Sequence, residues 1–364
     1  MKLRWIQMFL CLLMLLLVSC QVKDGSLIID SNVDEVSTNT PGTDTQNGVD
    51  EVLPESPESN SEIIAYRDAS IWPFSADSPW NMPIGNEAEY EDANEACTNS
   101  LTYEAHLAAI NSSEWSHPVY KASISDPVVG IYNNGSLQMR INVPANAKAA
   151  LPMGGGTDAH LHIIDPSGRY VVEMWRAFPG QAGDWNVEFA IRLDLHGSGV
   201  MQGGARAYAG SAIGGLIRKG ELKVGIPHAL AIAQPYAHLW PGGAIWPALR
   251  TDENSSYNYT GEFPMGQLAA IPSQIDLESL RPPLSPQGLA IGKAMQNYGV
   301  YNVDAAGRSV LYAEPAAANE LGDVYKDIPR LWALLSCIKN NFRDSLGGGG
   351  STRRAPLAPA FKNE

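Results

Sequence analysis

The chain has 364 residues and a formal net charge of −14, with 45% hydrophobic and 18% charged residues. That balance argues against a nucleic-acid partner, which calls for a basic patch. The length is sufficient for one large domain with a substantial core beside any terminal extensions.

Taken in order, Lys2 and Arg4 precede a short apolar run from Phe9 to Val18, which ends in Leu17-Val18-Ser19-Cys20. The run is too short to span a bilayer comfortably, so it reads as a targeting segment. Its end resembles the lipobox of bacterial lipoproteins. The resemblance implies a signal peptide over 1–19, cleavage before Cys20, lipidation of the Cys20 thiol and membrane association through that lipid. Gln21 stands where an Asp would imply inner-membrane retention, so the expected place is the cell envelope, at the outer membrane or cell surface.

Residues 20–62 carry ten acidic side chains against one lysine, and few large apolar ones. Such a composition cannot bury enough apolar surface to offset its ordering entropy, and a disordered acidic tether is expected. A single β-rich globular domain is expected over 63–346 and a disordered tail over 347–364. Cys97 and Cys337 are either a disulfide, as export permits, or two separate buried thiols.

Within the domain, Thr98 to Asn111 has helical spacing, and Val119–Tyr120 and Leu137–Val143 read as strands. Trp185–Leu195 alternates as one further strand. The glycine-rich run Gly203–Gly215 implies a backbone held close to something, and it lacks the endings of a phosphate loop or a nucleophile elbow. Leu216–Leu222 reads as a short helix and His228–Ala233 as a buried strand. Pro235–Pro264 reads as a long aromatic loop, and Gln267–Ile275 as another strand. Ser285 caps a helix to Tyr298 with Pro286 at its first position. Val300–Asp304 and Ser309–Ala313 suggest a closing hairpin, and Asp323–Phe342 a C-terminal helix. Many short strands between Gly, Pro, Asn and Asp turns predict a mainly β fold, an antiparallel jelly-roll-like sandwich with short helices and long loops. The alternative is an α+β fold with one sheet covered by the C-terminal helices.

The central feature is the stretch Gly154–Ala177. Asp165-Pro166-Ser167-Gly168 is a type I turn signal, with Gly168 in the left-handed conformation. A three-residue loop would pair Asp165 with Arg169, so that Asp158, His160 and His162 share one face with Arg176 opposite Asp158. The other face would carry Ala159, Leu161, Ile163, Val171 and Trp175, with Glu173 out of place. The polar face reads either as a site or as an ordinary solvated sheet face.

Several motifs keep their order with a family of secreted bacterial proteins that this chain resembles between Trp72 and Glu314. They include Ser78-Pro79-Trp80-Asn81, Asp158-Ala159-His160-Leu161, Glu173-Met174-Trp175-Arg176-Ala177, His228-Ala229-Leu230 and Tyr298-Gly299-Val300-Tyr301-Asn302-Val303-Asp304. The resemblance implies that Asp158, His160, His228 and Asp304 belong to a shared pattern. It carries no reaction, and His162 lies outside it.

Three functions compete. The first is a surface-anchored enzyme that degrades a polysaccharide by hydrolysis or elimination. His160 and His228 would act as acid and base with Asp158, and Arg206 or Arg176 would take a uronate carboxylate. Trp240, Trp246 and Tyr236 would stack on sugars. Hydrolysis calls for two carboxylates, for which Asp158, Glu173 and Asp252 are candidates. The second is a lipoprotein that binds a glycan or cell-wall polymer without catalysis. The third is a divalent-metal site built from Asp158, His160 and His162, with His228 or His196 completing it, since a His-x-His strand presents both rings on one face. The lipobox is open to test: Cys20→Ser should move the exported protein out of the detergent phase on phase partitioning, and retention there would overturn it.

Overall fold

The computed structural model describes residues 66–152 and 157–362; the signal segment, Cys20 and the acidic tether lie outside the described residues. In chain order the early strands are β1 (Ala109–Asn111), β2 (Val119–Lys121), β3 (Val128–Asn133), β4 (Ser136–Asn142), β5 (Leu161–Ile164), β6 (Tyr170–Trp175), β7 (Phe178–Pro179), β8 (Trp185–Asn186) and β9 (Phe189–Asp194). The later ones are β10 (Leu230–Gln234), β11 (Leu239–Ala244), β12 (Phe263–Met265), β13 (Leu268–Ala270), β14 (Val300–Ala305), β15 (Val310–Tyr312) and β16 (Ser336–Cys337). The α-helices are α1 (Ala96–Thr102), α2 (Glu221–Val224), α3 (Ser255–Asn258), α4 (Pro286–Asn297) and α5 (Ile328–Trp332).

The fold is mainly β and sandwich-like. One sheet has the order β1-β15-β10-β14-β13-β16, a second β2-β5-β6-β9, a third β4-β3-β8-β7, and β11 pairs β12 apart from these. The sheets are mixed rather than purely antiparallel, because β1–β15, β10–β14, β2–β5, β3–β8 and β11–β12 pair in parallel. Ile164, Val171 and Leu193 on one side of the second sheet join the core of the six-stranded sheet. Leu161, Ile163, Val172 and Met174 on its other side pack with Val129, Ile131 and Trp185 of the third sheet. The middle sheet is therefore covered on both faces. Leu101, Ile291, Met295 and Leu331 bring α1, α4 and α5 into the core of the six-stranded sheet.

The Asp165–Gly168 turn forms as expected, with the Gly168 amide donating to the Asp165 carbonyl at 2.9 Å and Gly168 at φ +77°. The register is one residue away from the expected one. The Asp165 amide bonds the Tyr170 carbonyl, so the loop holds four residues, not three. His162 consequently faces Glu173, Leu161 faces Met174 and Ile163 faces Val172. A one-residue slip moves a whole strand to the other face. Glu173 is thus on the histidine face and Met174 and Val172 join the apolar one, while the Arg176 amide still bonds the Asp158 carbonyl through an irregular end of the hairpin and the two side chains do not pair.

Other elements differ where long-range pairing decides. β14 and β15 do not form a hairpin, because β10 lies between them, parallel to β14 and antiparallel to β15. The expected strand Trp185–Leu195 is split between two sheets as β8 and β9. Pro235–Pro264 carries β11, α3 and the start of β12 instead of one loop. The expected helix Asp323–Phe342 is reduced to α5 and a preceding 3-10 turn, and β16 follows. Residues 347–362 are not a disordered tail. Gly85 bridges Arg353, Arg67 bridges Phe361, and the Phe361 ring is buried under the Arg67 guanidinium at 3.8 Å. Cys97 and Cys337 form a disulfide that joins α1 to β16. The α4 helix is as read, with Ser285 Oγ accepting from the Gly288 amide.

The observed register makes Leu161 and Met174, both without exposed surface, direct cross-strand partners. Leu161→Ala should cost ~2–5 kcal/mol in denaturant titrations. A double-mutant cycle with Met174→Ala should show a coupling of about 0.5–3 kcal/mol. Additive losses at these two positions would contradict the pairing.

Candidate functional site

A cleft of about 640 Å³ opens where the start of β5 meets the ends of β14 and β15, and Asp158, His160, His117, Asp304 and Tyr312 line it. Trp115 stands on its rim with 43% of its surface exposed. Asp158 and His160 come from the approach to β5, and Asp304 comes from β14 of the opposing sheet. His117 precedes β2, whose parallel pairing places Val119 beside His162, and the His162 amide bonds the Pro118 carbonyl at 3.0 Å. The backbone is strained beside the site: Ala159 and Arg176 have φ of 36° and 50°, unusual for residues with a Cβ. The Arg176 and Ala177 amides there bond the Asp158 and Ala159 carbonyls, continuing the hairpin irregularly beyond β5 and β6.

His117, His160 and His162 form a buried cluster able to hold a metal ion, with one ring nitrogen of each within 4.8 Å of the other two. His117 Nδ1 and His162 Nε2 are 3.0 Å apart, and the His117 and His160 rings lie 4.3 Å apart. Burial drives all three imidazoles below their usual pKa, and the positive charge of Arg206 acts in the same direction. His160 is lowered to about 4, with Asp158 and the Met174 backbone opposing the fall. The cluster is therefore neutral at neutral pH. His162 Nδ1 has no hydrogen-bond partner among the described residues, and His160 Nδ1 makes no bond of normal geometry.

Arg206 stands behind the cleft wall. Its Nε and Nη2 donate to the Ala212 carbonyl, and its guanidinium lies 4.0 Å above the Tyr312 ring. Asp304 keeps partial exposure to the cleft, yet the protein around it desolvates its carboxyl. That burial, reinforced by the negative charges of Asp252 and Asp158 against the opposing pull of Arg206, raises it to about 8. Tyr259 donates its hydroxyl to Asp252, whose carboxyl is itself raised, chiefly by burial.

Several expected residues lie elsewhere. His228 is buried outside the cleft, its Nε2 3.0 Å from Glu221 Oε1 and its Nδ1 2.8 Å from the Ala229 carbonyl. Arg176 pairs with Glu188 at 2.9 Å and covers the Trp175 ring, while Asp158 accepts from Trp175 Nε1. Trp240 and Trp246 do not line the cleft. Tyr236, half exposed and with its ring tilted 38° to that of Tyr259 at 5.6 Å, is close enough to Asp252, Asp304 and Asp158 for their charges to add to burial in raising its hydroxyl. Glu173 is no cleft acid: it is fully buried and accepts from Ser211 Oγ and from the Ala205 and Ala212 amides. The glycine run makes this wrapping feasible, since a Cβ on Gly204 would overlap the Gly210 carbonyl. His117 had no motif to mark it, and only the parallel pairing of β2 brings it to the site.

Comparison with protein-family models, with curated proteins and with solved structures gives no match. The site's chemistry therefore rests on its own geometry. Among the described residues no helix is long and apolar enough to cross a membrane.

His228 contributes to stability, with a testable pH signature. Burial alone would depress it, but the Glu221 carboxylate and the Ala229 carbonyl outweigh burial and raise it above 6.5. A raised folded pKa means that the contribution is complete below the unfolded value and is lost as pH rises through the folded one. Comparing wild type with His228→Gln by thermal melts from pH 5.5 to 8.5, the stability gap should be largest at the acid end and shrink above about pH 6.5. A gap independent of pH would exclude the charged pair.

Proposed function

We propose that the chain is a lipid-anchored enzyme of the cell envelope that hydrolyses a polysaccharide in the Asp158–Asp304 cleft. One observation carries this: two carboxyl groups from different sheets line one cleft, and burial keeps Asp304 protonated up to about pH 8. A carboxylic acid that retains its proton beside a second carboxyl is the arrangement glycoside hydrolysis requires. Asp304 gives its proton to the glycosidic oxygen as the bond from that oxygen to the anomeric carbon breaks. Asp158 takes a proton from the water whose oxygen bonds that carbon. The acid role expected of a histidine passes to Asp304, since His160 holds a proton only near pH 4 and below. Trp115 at the rim and Tyr312 in the wall supply faces on which a sugar ring can stack. The lipobox-like end of the leader supports the surface location.

The solubilised full chain, incubated with pools of neutral and acidic polysaccharides, should release reducing ends. Asp304→Asn should lower that rate by about 100-fold or more while the melting temperature shows the protein folded. Wild-type activity should fall as pH rises through about 8, when Asp304 loses its proton. Products absorbing in the ultraviolet would replace hydrolysis by elimination. Binding without product would overturn catalysis in favour of a glycan-binding lipoprotein.

A second reading, metal-dependent cleavage, is favoured by the three-histidine cluster beside the same acids. Loss of activity in a chelator and its return with zinc would select it.

A further inference from the structure

The strongest unexplained feature of the interior is the group of His117, His160 and His162. We infer that these three imidazoles form a nitrogen-only site for one divalent transition metal of the zinc or cobalt type, at the floor of the cleft. The inference goes beyond the hydrolase reading and does not depend on it: the metal would be held whether or not the cleft cleaves a glycan.

The argument begins with cost. A buried polar atom without a partner is destabilising, and native interiors contain few of them. Here His162, with no exposed surface, leaves Nδ1 unpartnered, and among the described residues its ring hydrogen-bonds only another imidazole, His117. Three imidazoles sharing one pocket can supply few donors and acceptors for each other, because each neutral ring carries one proton. A cation at the shared point would take one lone pair from each ring, from Nε2 in the case of His162, so that His117 Nδ1 and His162 Nε2 would no longer depend on one proton between them.

Geometry permits it. Nitrogen ligands at the usual ~2.0–2.1 Å from tetrahedral zinc lie about 3.3 Å apart. His117 Nδ1 and His162 Nε2 are already at 3.0 Å, and the third nitrogen lies within 4.8 Å, a gap that a modest imidazole rotation closes. The three rings come from two adjacent segments tied by the β2–β5 pairing: His162 lies in β5, His160 immediately precedes it and His117 lies two residues before β2. His117 and His160 line the cleft while His162 lies beneath it. A bound ion would therefore have three protein ligands with its remaining side toward the cleft, the pattern of an open site.

Donor type sets the metal class. Imidazole nitrogen suits zinc, cobalt, nickel or copper, whereas calcium and magnesium require oxygen-rich shells. Arg206 stands near the cluster and disfavours added positive charge, but the negative charge of Asp158 on the cleft wall acts on His160 in the opposite direction.

The test uses the solubilised full chain, stripped with a chelator, dialysed and titrated with Co²⁺ under visible spectroscopy. The expected result is one cobalt per chain, absorption bands of a nitrogen-ligated site, displacement of cobalt by Zn²⁺ and a higher melting temperature with either metal. His162→Gln should weaken binding by about 100-fold or more, since even loss of a supporting group commonly costs 10–100-fold. His228→Gln, outside the cluster, should bind as wild type. If His162→Gln does not fold, His117→Gln, whose ring lines the cleft, takes its place. Wild-type protein that takes up neither cobalt nor zinc at tenfold excess would overturn the site, leaving a hydrogen-bonded histidine group only. So would cluster variants that bind like wild type.

Discussion

The structure depends on the middle sheet having no solvent-facing side. Its apolar face packs against the third sheet through Leu161, Ile163, Val172 and Met174, and its other face packs against the six-stranded sheet. A face carrying His160, His162 and Glu173 is thereby buried as thoroughly as one carrying leucine. Polar groups in such a place must find partners or impose a cost. Glu173 finds them in Ser211 and two backbone amides of the glycine run, which explains why that run approaches the sheet so closely. The imidazoles are less well satisfied: His162 bonds His117 and leaves Nδ1 without a partner among the described residues. This unequal satisfaction along one strand pair separates a structural carboxylate from a candidate functional cluster.

Charge follows from the same burial. Desolvation lowers the histidines and raises Asp304, so at neutral pH the cleft combines neutral bases with a protonated acid. Arg206 contributes to both effects from behind Tyr312: it opposes protonation of the rings and moderates the rise of Asp304. The His228–Glu221 pair shows the contrasting outcome. There a carboxylate in hydrogen-bond contact outweighs burial, and the histidine is charged more readily than usual. Beside it, Arg218 pairs with Glu314 in the same polar layer. Burial alone therefore does not mark a functional histidine. The partner does.

The two ends of the described region are joined by contacts distant in sequence. The disulfide joins α1 to β16 across 240 residues of sequence, and Arg67, Gly85 and Asn86 hold segments beyond residue 350. Polar and glycine-rich composition at 347–364 suggested a tail because it contains little apolar surface. Phe361 and Ala358 are nevertheless buried, and backbone bonds to the entry segment hold Gly347, Thr352, Arg354 and Ala360.

By itself the sequence determined what depends on neighbours a few residues away. The Asp165–Gly168 turn, the Ser285-capped α4, the strand β4 and the mainly β class all follow from local propensity and period. It also marked Asp158 and His160 as a pair worth testing. Only the tertiary structure decided the register, since one further loop residue at Arg169 exchanges the faces of β6 and moves Glu173 to the histidine side. The insertion of β10 between β14 and β15 was likewise invisible locally, because two adjacent strands with a short connection carry the same pattern whether or not a third lies between them. His117 and Asp304 enter the cleft through parallel and cross-sheet contacts between distant segments. No periodicity encodes such contacts: what selects them is the burial of apolar faces from several sheets at once, a property of the whole fold and not of any stretch of it.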